Sequence, residues 1–131
     1  MIKIFIDGAS AGNPGFAGAG LFVNKANNET EHYAIPLGRM TNHEAEFAAL
    51  LEALKLCTER NWSMVSIHTD SKLVDDAVEK RHAKKAAYQP YLADILRQLD
   101  RCELCFVKWI PSKSNRAADQ LAKQAIQKNE S

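Results

Sequence analysis

The chain of 131 residues lacks any apolar run long enough to cross a bilayer, for which about 20 successive apolar residues are needed. It also lacks a basic leader and cleavage site at its start. Met1 runs straight into strand-like Ile2-Lys3-Ile4-Phe5-Ile6, so a cytoplasmic protein with no membrane partner is the expectation. Cysteine is scarce. Cys57, Cys102 and Cys105 are an odd count with no disulfide framework. Cys102 and Cys105 form a C-x-x-C, but no second such pair or paired histidines complete a zinc site. Cys105 instead alternates with Val107 and Trp109 along a strand, and Cys102 falls at its start or in the preceding helix. An excess of one charge is missing as well. Seventeen Lys and Arg against sixteen Asp and Glu leave a net charge of +1, so any polyanion site must come from a local patch. There is no repeat, low-complexity tract or linker. One domain spanning residues 1–131 is expected, and 46% apolar residues suffice for a core without staples.

The pattern of the chain reads β-β-β-α-β-α-α-β-α. Residues 2–7 form a mostly buried strand, followed by the glycine-rich stretch 8–20. Residues 18–25 form a second strand, the Asn-rich tip 24–28 a hairpin turn and residues 31–37 a third strand. Thr41 or Asn42 caps a helix in which Phe47, Leu50, Leu51 and Leu54 recur at helical spacing. Residues 64–69 are the fourth strand and 71–80 a helix. Gln89-Pro90 breaks the chain before a helix over 91–99. Residues 104–110 are the fifth strand, 111–114 a short polar loop and 115–127 the closing helix. Three meandering strands followed by helical crossovers predict a mixed five-stranded α/β sheet. Three strands are antiparallel and two parallel, with helices on both faces. Ligand sites in such sheets gather beyond the strand ends.

Four carboxylates have their own local surroundings. Asp7 ends the first strand and opens Asp7-Gly8-Ala9-Ser10-Ala11-Gly12-Asn13-Pro14-Gly15. Glu46 lies early in the first helix, Asp70 ends the fourth strand before Ser71, and Asp119 opens the last helix. Each alone has an ordinary structural reading. Asp-Gly is a turn dipeptide, Asp70-Ser71 suits a helix N-cap, Asp119 suits a helix N-terminus and Glu46 could be solvated. Brought together at strand ends, four acids must bind cations, and paired Mg²⁺ ions are suited to phosphate chemistry. Helical geometry does not choose between Glu44 and Glu46, since both flank the apolar stripe on opposite edges.

Four ordered motifs resemble type 1 ribonuclease H over nearly the whole chain. They are Asp-Gly-x-x-x-Gly-Asn-Pro-Gly at 7–15, Thr-Asn-x-x-Ala-Glu-Phe at 41–47, Thr-Asp-Ser at 69–71 and Asn-x-x-Ala-Asp-x-Leu-Ala at 115–122. The resemblance implies a ribonuclease H-like fold. It also implies that Glu46, rather than Glu44, joins Asp7, Asp70 and Asp119 as the catalytic and metal-binding acids. It further implies a monomeric endonuclease that cuts the RNA strand of an RNA–DNA hybrid, leaving 3′-hydroxyl and 5′-phosphate ends. Two Mg²⁺ ions, with Mn²⁺ as a substitute, would be bridged by Asp7. Asp119 would complete the site that activates water, and Glu46 and Asp70 would hold the ion on the leaving-group side.

Recognition of such a hybrid relies on minor-groove shape and 2′-hydroxyls. Gly12, Asn13, Asn42 and His43 are candidate contacts to the RNA strand, joined by Ser71 and Lys113. Plain turn and cap roles also fit Asn13 and Asn42. His43 stands where an amide residue is common in the family. Lys80, Arg81, Lys84 and Lys85 are either a solvated charge run or a phosphate patch. The chain lacks room for the family's full basic protrusion. It also lacks the family's loop histidine at 110–115, where Lys113 is the nearest basic residue. Those departures keep a second expectation open, a catalytically quiet domain that binds nucleic acid or protein. A resolvase or exonuclease of the same fold is a third, disfavoured by the Gly-Asn-Pro-Gly and Thr-Asn motifs.

Overall fold

The computed structural model describes residues 1–129. Five strands form one sheet: β1 (Ile2–Ser10), β2 (Gly15–Asn24), β3 (Thr30–Met40), β4 (Met64–Thr69) and β5 (Leu104–Trp109). Their order is β3-β2-β1-β4-β5. The β1–β2 and β2–β3 pairs are antiparallel, and the β1–β4 and β4–β5 pairs are parallel. The expected mixed sheet is therefore the observed one.

Alternation explains which face is the core. Ile4, Ile6, Leu21, Val23, Val65 and Ile67 are buried on one side of the sheet. Against them pack α1 (Asn42–Arg60), α2 (Lys72–Lys80) and α3 (Gln89–Arg101). The last helix, α4 (Arg116–Lys128), lies on the opposite face and packs chiefly on β2, β1 and β3. Glycines set how closely the helices approach. A Cβ on Gly8 would stand 2.0 Å from the Ala45 carbonyl oxygen at the start of α1. One on Gly20 would stand 2.1 Å from the Ala118 carbonyl oxygen of α4.

Three sequence expectations are corrected. The hairpin strands run further into the glycine-rich stretch, β1 to Ser10 and β2 from Gly15, with Gly8 serving helix contact rather than loop flexibility. Gln89-Pro90 does not interrupt the chain before its helix. Pro90 occupies the first turn of α3, where its missing N–H has no intrahelical partner to lose. Cys102 and Cys105 are joined by a disulfide across the α3–β5 turn, their Cα atoms 5.7 Å apart, while Cys57 is free and buried. Cys102 does fall at the C-cap of the helix and Cys105 in the strand.

Among the described residues, no helix is long and apolar enough to cross a membrane.

Candidate metal-binding active site

Asp7 sits on β1 opposite Gly20, and parallel pairing of Ile6 with Thr69 sets Asp70 beside it at the end of β4. The close approach at Gly8 sets Glu46 above Asp7, since the same absent Cβ lies 2.6 Å from the Glu46 backbone nitrogen. Asn115 fixes the start of α4. Its buried side-chain Nδ2 donates to the Ile6 carbonyl at 2.8 Å, one residue before Asp7. Asp119, one turn later, then reaches the Asp7 carboxyl and shares a hydrogen bond with it.

The electrostatics record this convergence. Burial raises the Asp7 pKa to about 8, with further upward contributions from Asp70, from the hydrogen bond and charge of Asp119, and from Glu46. A buried acid beside three other acids holds its proton because its charge would be poorly solvated and repelled, although Asp119 also pairs with the Lys123 ammonium at 3.0 Å. That excess of carboxylate oxygen fits a divalent cation, which takes oxygen ligands and neutralises such a cluster.

Glu44 and Glu46, which helical geometry alone leaves equivalent, have different hydrogen-bond partners. Glu44 is committed to the helix cap: Thr41 N–H and Oγ1 both donate to its Oε1 at 3.0 Å, and its own N–H donates to Thr41 Oγ1. Glu46 faces the centre instead. Its Oε1 accepts from Asn42 Nδ2 at 3.2 Å, and its Oε2 accepts from the Ser71 hydroxyl. Ser71 is also the N-cap of α2, its Oγ accepting from Val74 N–H at 3.1 Å. His43 Nδ1 lies 3.5 Å from Glu46 Oε2 while half of its side chain remains exposed.

The remaining expected contacts divide into groups. Asn13 Oδ1 accepts from Asn42 N–H at 3.0 Å, and Asn42 Oδ1 accepts from Ser10 N–H at 3.3 Å. The exposed Gly12–Asn13 turn is thus tied to the start of α1. Asn42 is the first residue of α1, and Thr41 is the cap. Lys113 is exposed in the 3-10 turn Ser112–Ser114 before Asn115. Arg81 is engaged away from the centre, forming a two-pronged pair with Asp100 of α3 at 2.8 and 3.2 Å. Lys80, Lys84 and Lys85 instead line a cleft of about 390 Å³ together with His43, His82 and Tyr88.

Sequence reasoning missed Trp109. Its Nε1 donates to the Asp70 carbonyl at 3.3 Å, and the Lys72 ammonium lies 4.7 Å from its ring centre. The available signal was an aromatic at the end of a strand, but its neighbour depends on the pairing of Thr69 with Trp109. Asp75, Asp76 and Glu79 form a separate acidic group on α2 with carboxylate oxygens within 4.8 Å of one another. It is distinct from the four carboxylates.

Residues 5–125 match the family described as Reverse transcriptase-like. EbsB of Enterococcus faecalis is 43% identical over 130 residues, covering 98% of this chain and 96% of that protein. Ribonuclease H of Bartonella tribocorum is 30% identical over 141 residues, covering 96% and 89%. The chain spans 35% of the length of the longer mycobacterial relatives it also matches. Among solved structures, LC11-RNase H1 in complex with RNA/DNA hybrid superposes with a TM-score of 0.89. Its sequence identity is 27%, with 100% of both chains covered.

Proposed function

This chain belongs to the ribonuclease HI-like branch of the reverse transcriptase-like family, and on that premise we propose that it hydrolyses the RNA strand of RNA–DNA hybrids to 3′-hydroxyl and 5′-phosphate ends. The observation that carries the reading is the convergence of Asp70, Asp119 and Glu46 on Asp7. The hybrid held by LC11-RNase H1 supports the choice of substrate.

In this reading Asp7, Glu46, Asp70 and Asp119 hold two divalent cations, Mg²⁺ or in substitution Mn²⁺. When bound, such ions polarise the scissile phosphate and lower the pKa of attacking water. The protein's own part is positioning. Asn42 and Ser71 hold the two oxygens of Glu46. Trp109 fixes the backbone at Asp70, and Asn115 fixes it before Asp7. The exposed Gly12–Asn13 turn lets the backbone approach a ribose, and amides at Asn13 and Asn42 can donate to and accept from a 2′-hydroxyl. His43 lies beside Glu46 and lines the cleft that holds Lys80, Lys84 and Lys85. Lys113 meets a phosphate as a point charge rather than acting as a base. Lys80, Lys84 and Lys85 bind backbone phosphates of the duplex. All four acids come from one chain, so the site needs no residue from a second copy, and a monomer goes with this reading. A cytoplasmic setting, where hybrids arise during transcription and replication, goes with this substrate.

The test is a panel of equal-length substrates labelled on one strand: hybrid, duplex RNA, duplex DNA and single-stranded RNA, each with Mg²⁺ and with Mn²⁺. Cleavage confined to the RNA of the hybrid is expected. Cleavage of duplex DNA, or of no substrate by folded protein, overturns the reading.

A further inference from the structure

The sheet face that carries α4 is only partly covered. The α4 helix sits over Gly18 and Gly20 of β2. In the side-chain rows below those glycines Thr30, His32, Lys3, Phe106 and Lys108 are exposed, Asn24, Phe22, Phe5 and His68 are half-buried, and Ser66 is buried. Paired residues on neighbouring strands point to the same face, so the register defines these rows. The first crosses all five strands as His32, Phe22, Phe5, His68 and Lys108. The second is Thr30, Asn24, Lys3, Ser66 and Phe106, and Met64 pairs with Leu104 beyond it.

The first four members of the first row form a line of rings. His32 lies 5.0 Å from Phe22, Phe22 lies 6.1 Å from Phe5, and Phe5 stacks on His68 at 4.7 Å. Phe106, Leu104 and Met64 extend this apolar surface at 42%, 45% and 50% exposure. The exposed cations are Lys3 and Lys108, and the residues of these rows include no carboxylate.

We propose that this open face binds single-stranded nucleic acid, with bases laid on the ring row and Phe106 and phosphates met by Lys3 and Lys108. Aromatic platforms with flanking cations suit a chain that is a polyanion along its backbone and flat and apolar at its bases. A protein partner would be drawn to the apolar positions but would not call for lysines unopposed by acids. Stacking accepts any base and either sugar, so the surface is tolerant of sequence. The ring row lies two residues along β1 from Asp7 and two along β4 from Asp70, about 7 Å at the rise of a strand. A single-stranded tail leaving the carboxylate centre therefore meets the rings first; this placement of the tail rests on the function proposed above, whereas strand binding itself does not.

The test uses the full chain in chelator, so neither cations nor hydrolysis enter. Fluorescence anisotropy follows labelled oligothymidylate and oligouridylate across a salt series. Lys3→Glu with Lys108→Glu should lower the log–log salt slope by about 1.4, the value for two phosphate contacts on a single strand. Phe106→Ala, at an exposed position, should weaken binding about tenfold. Circular dichroism checks that both variants fold, and the cleavage rate on a blunt hybrid should stay unchanged in both. Failure of the parent to bind single strands overturns the proposal. So does binding that ignores both variants, or a concentration-dependent dimer in sedimentation that the same substitutions abolish. A protein that cuts no hybrid but binds single strands through these residues would refute the nuclease reading and leave this one standing.

Discussion

Ser71 joins two helices at one atom: its Oγ donates to Glu46 of α1 while accepting from Val74 N–H of its own helix α2. The cap that starts α2 is therefore also the group that orients one of the four acids. Ser71→Ala should destabilise the fold by about 1 kcal/mol through the lost cap. It should also weaken divalent-cation affinity roughly ten- to hundredfold, because an oriented ligand loses its support. Ser71→Thr, which keeps the hydroxyl, should restore most of both. Thermal unfolding with and without Mn²⁺ reads the two effects separately.

Gly8 determines how near Glu46 can come to Asp7. Gly8→Ala places a methyl group against the Ala45 carbonyl and the Glu46 nitrogen, both backbone atoms. The start of α1 must shift. Stability should fall by about 2 kcal/mol, as for an overpacked contact. Hybrid cleavage should fall on the order of a hundredfold, as expected of a small misplacement at a reacting centre. Steady-state rates on protein shown to be folded at the assay temperature check this.

Asp7 makes metal-free stability depend on pH in a defined direction. Its folded pKa is raised from 3.8 to about 8. Between those values the folded chain binds more protons than the unfolded chain, so this group's effect on stability declines as pH rises through that window. A cation that binds the ionised cluster opposes the loss. The rise in Tm on adding Mg²⁺ should therefore be larger above pH 8 than below it, and Asp70→Asn should shrink the difference. Carbon-detected NMR of the Asp7 carboxyl, without metal, should show its titration moving down in Asp70→Asn.

The cleft beside α2 contributes charge through three lysines, since Arg81 is paired with Asp100. Replacing Lys80, Lys84 and Lys85 together by Ala should lower the salt slope of hybrid binding by about 2.7, at 0.9 per phosphate contact. Arg81→Ala alone should leave that slope almost unchanged. Binding titrations over a salt series distinguish the two.

Much of this arrangement was legible in the residues. Asp7 and Asp70 end strands with plain alternation, and the order of elements implies the sheet that sets them side by side. The choice of Glu46 over Glu44 was not legible from helical spacing, because both edges of the stripe look alike. It rests on family resemblance, and the capping bonds of Glu44 agree with it by occupying that side chain elsewhere. Gly8 falls outside the first expected strand because local propensity cannot register a helix pressed against a strand. Pro90 read as a break because the chain before it carries no apolar period, although the first turn of a helix accepts proline. Trp109 and the ring row were hidden for one shared reason. Their neighbours come from strands distant in sequence, and only the register brings them together.

The most direct test of the metal-centre account is cleavage of a hybrid labelled on its RNA strand by the parent and by Asp7→Asn, Glu46→Gln, Asp70→Asn and Asp119→Asn. Each protein is assayed with Mg²⁺ and with Mn²⁺ after its fold has been checked. The account predicts RNA cleavage by the parent that chelator abolishes, and severe loss in all four variants. Full activity in any folded variant, or parent activity that persists in chelator, would contradict it.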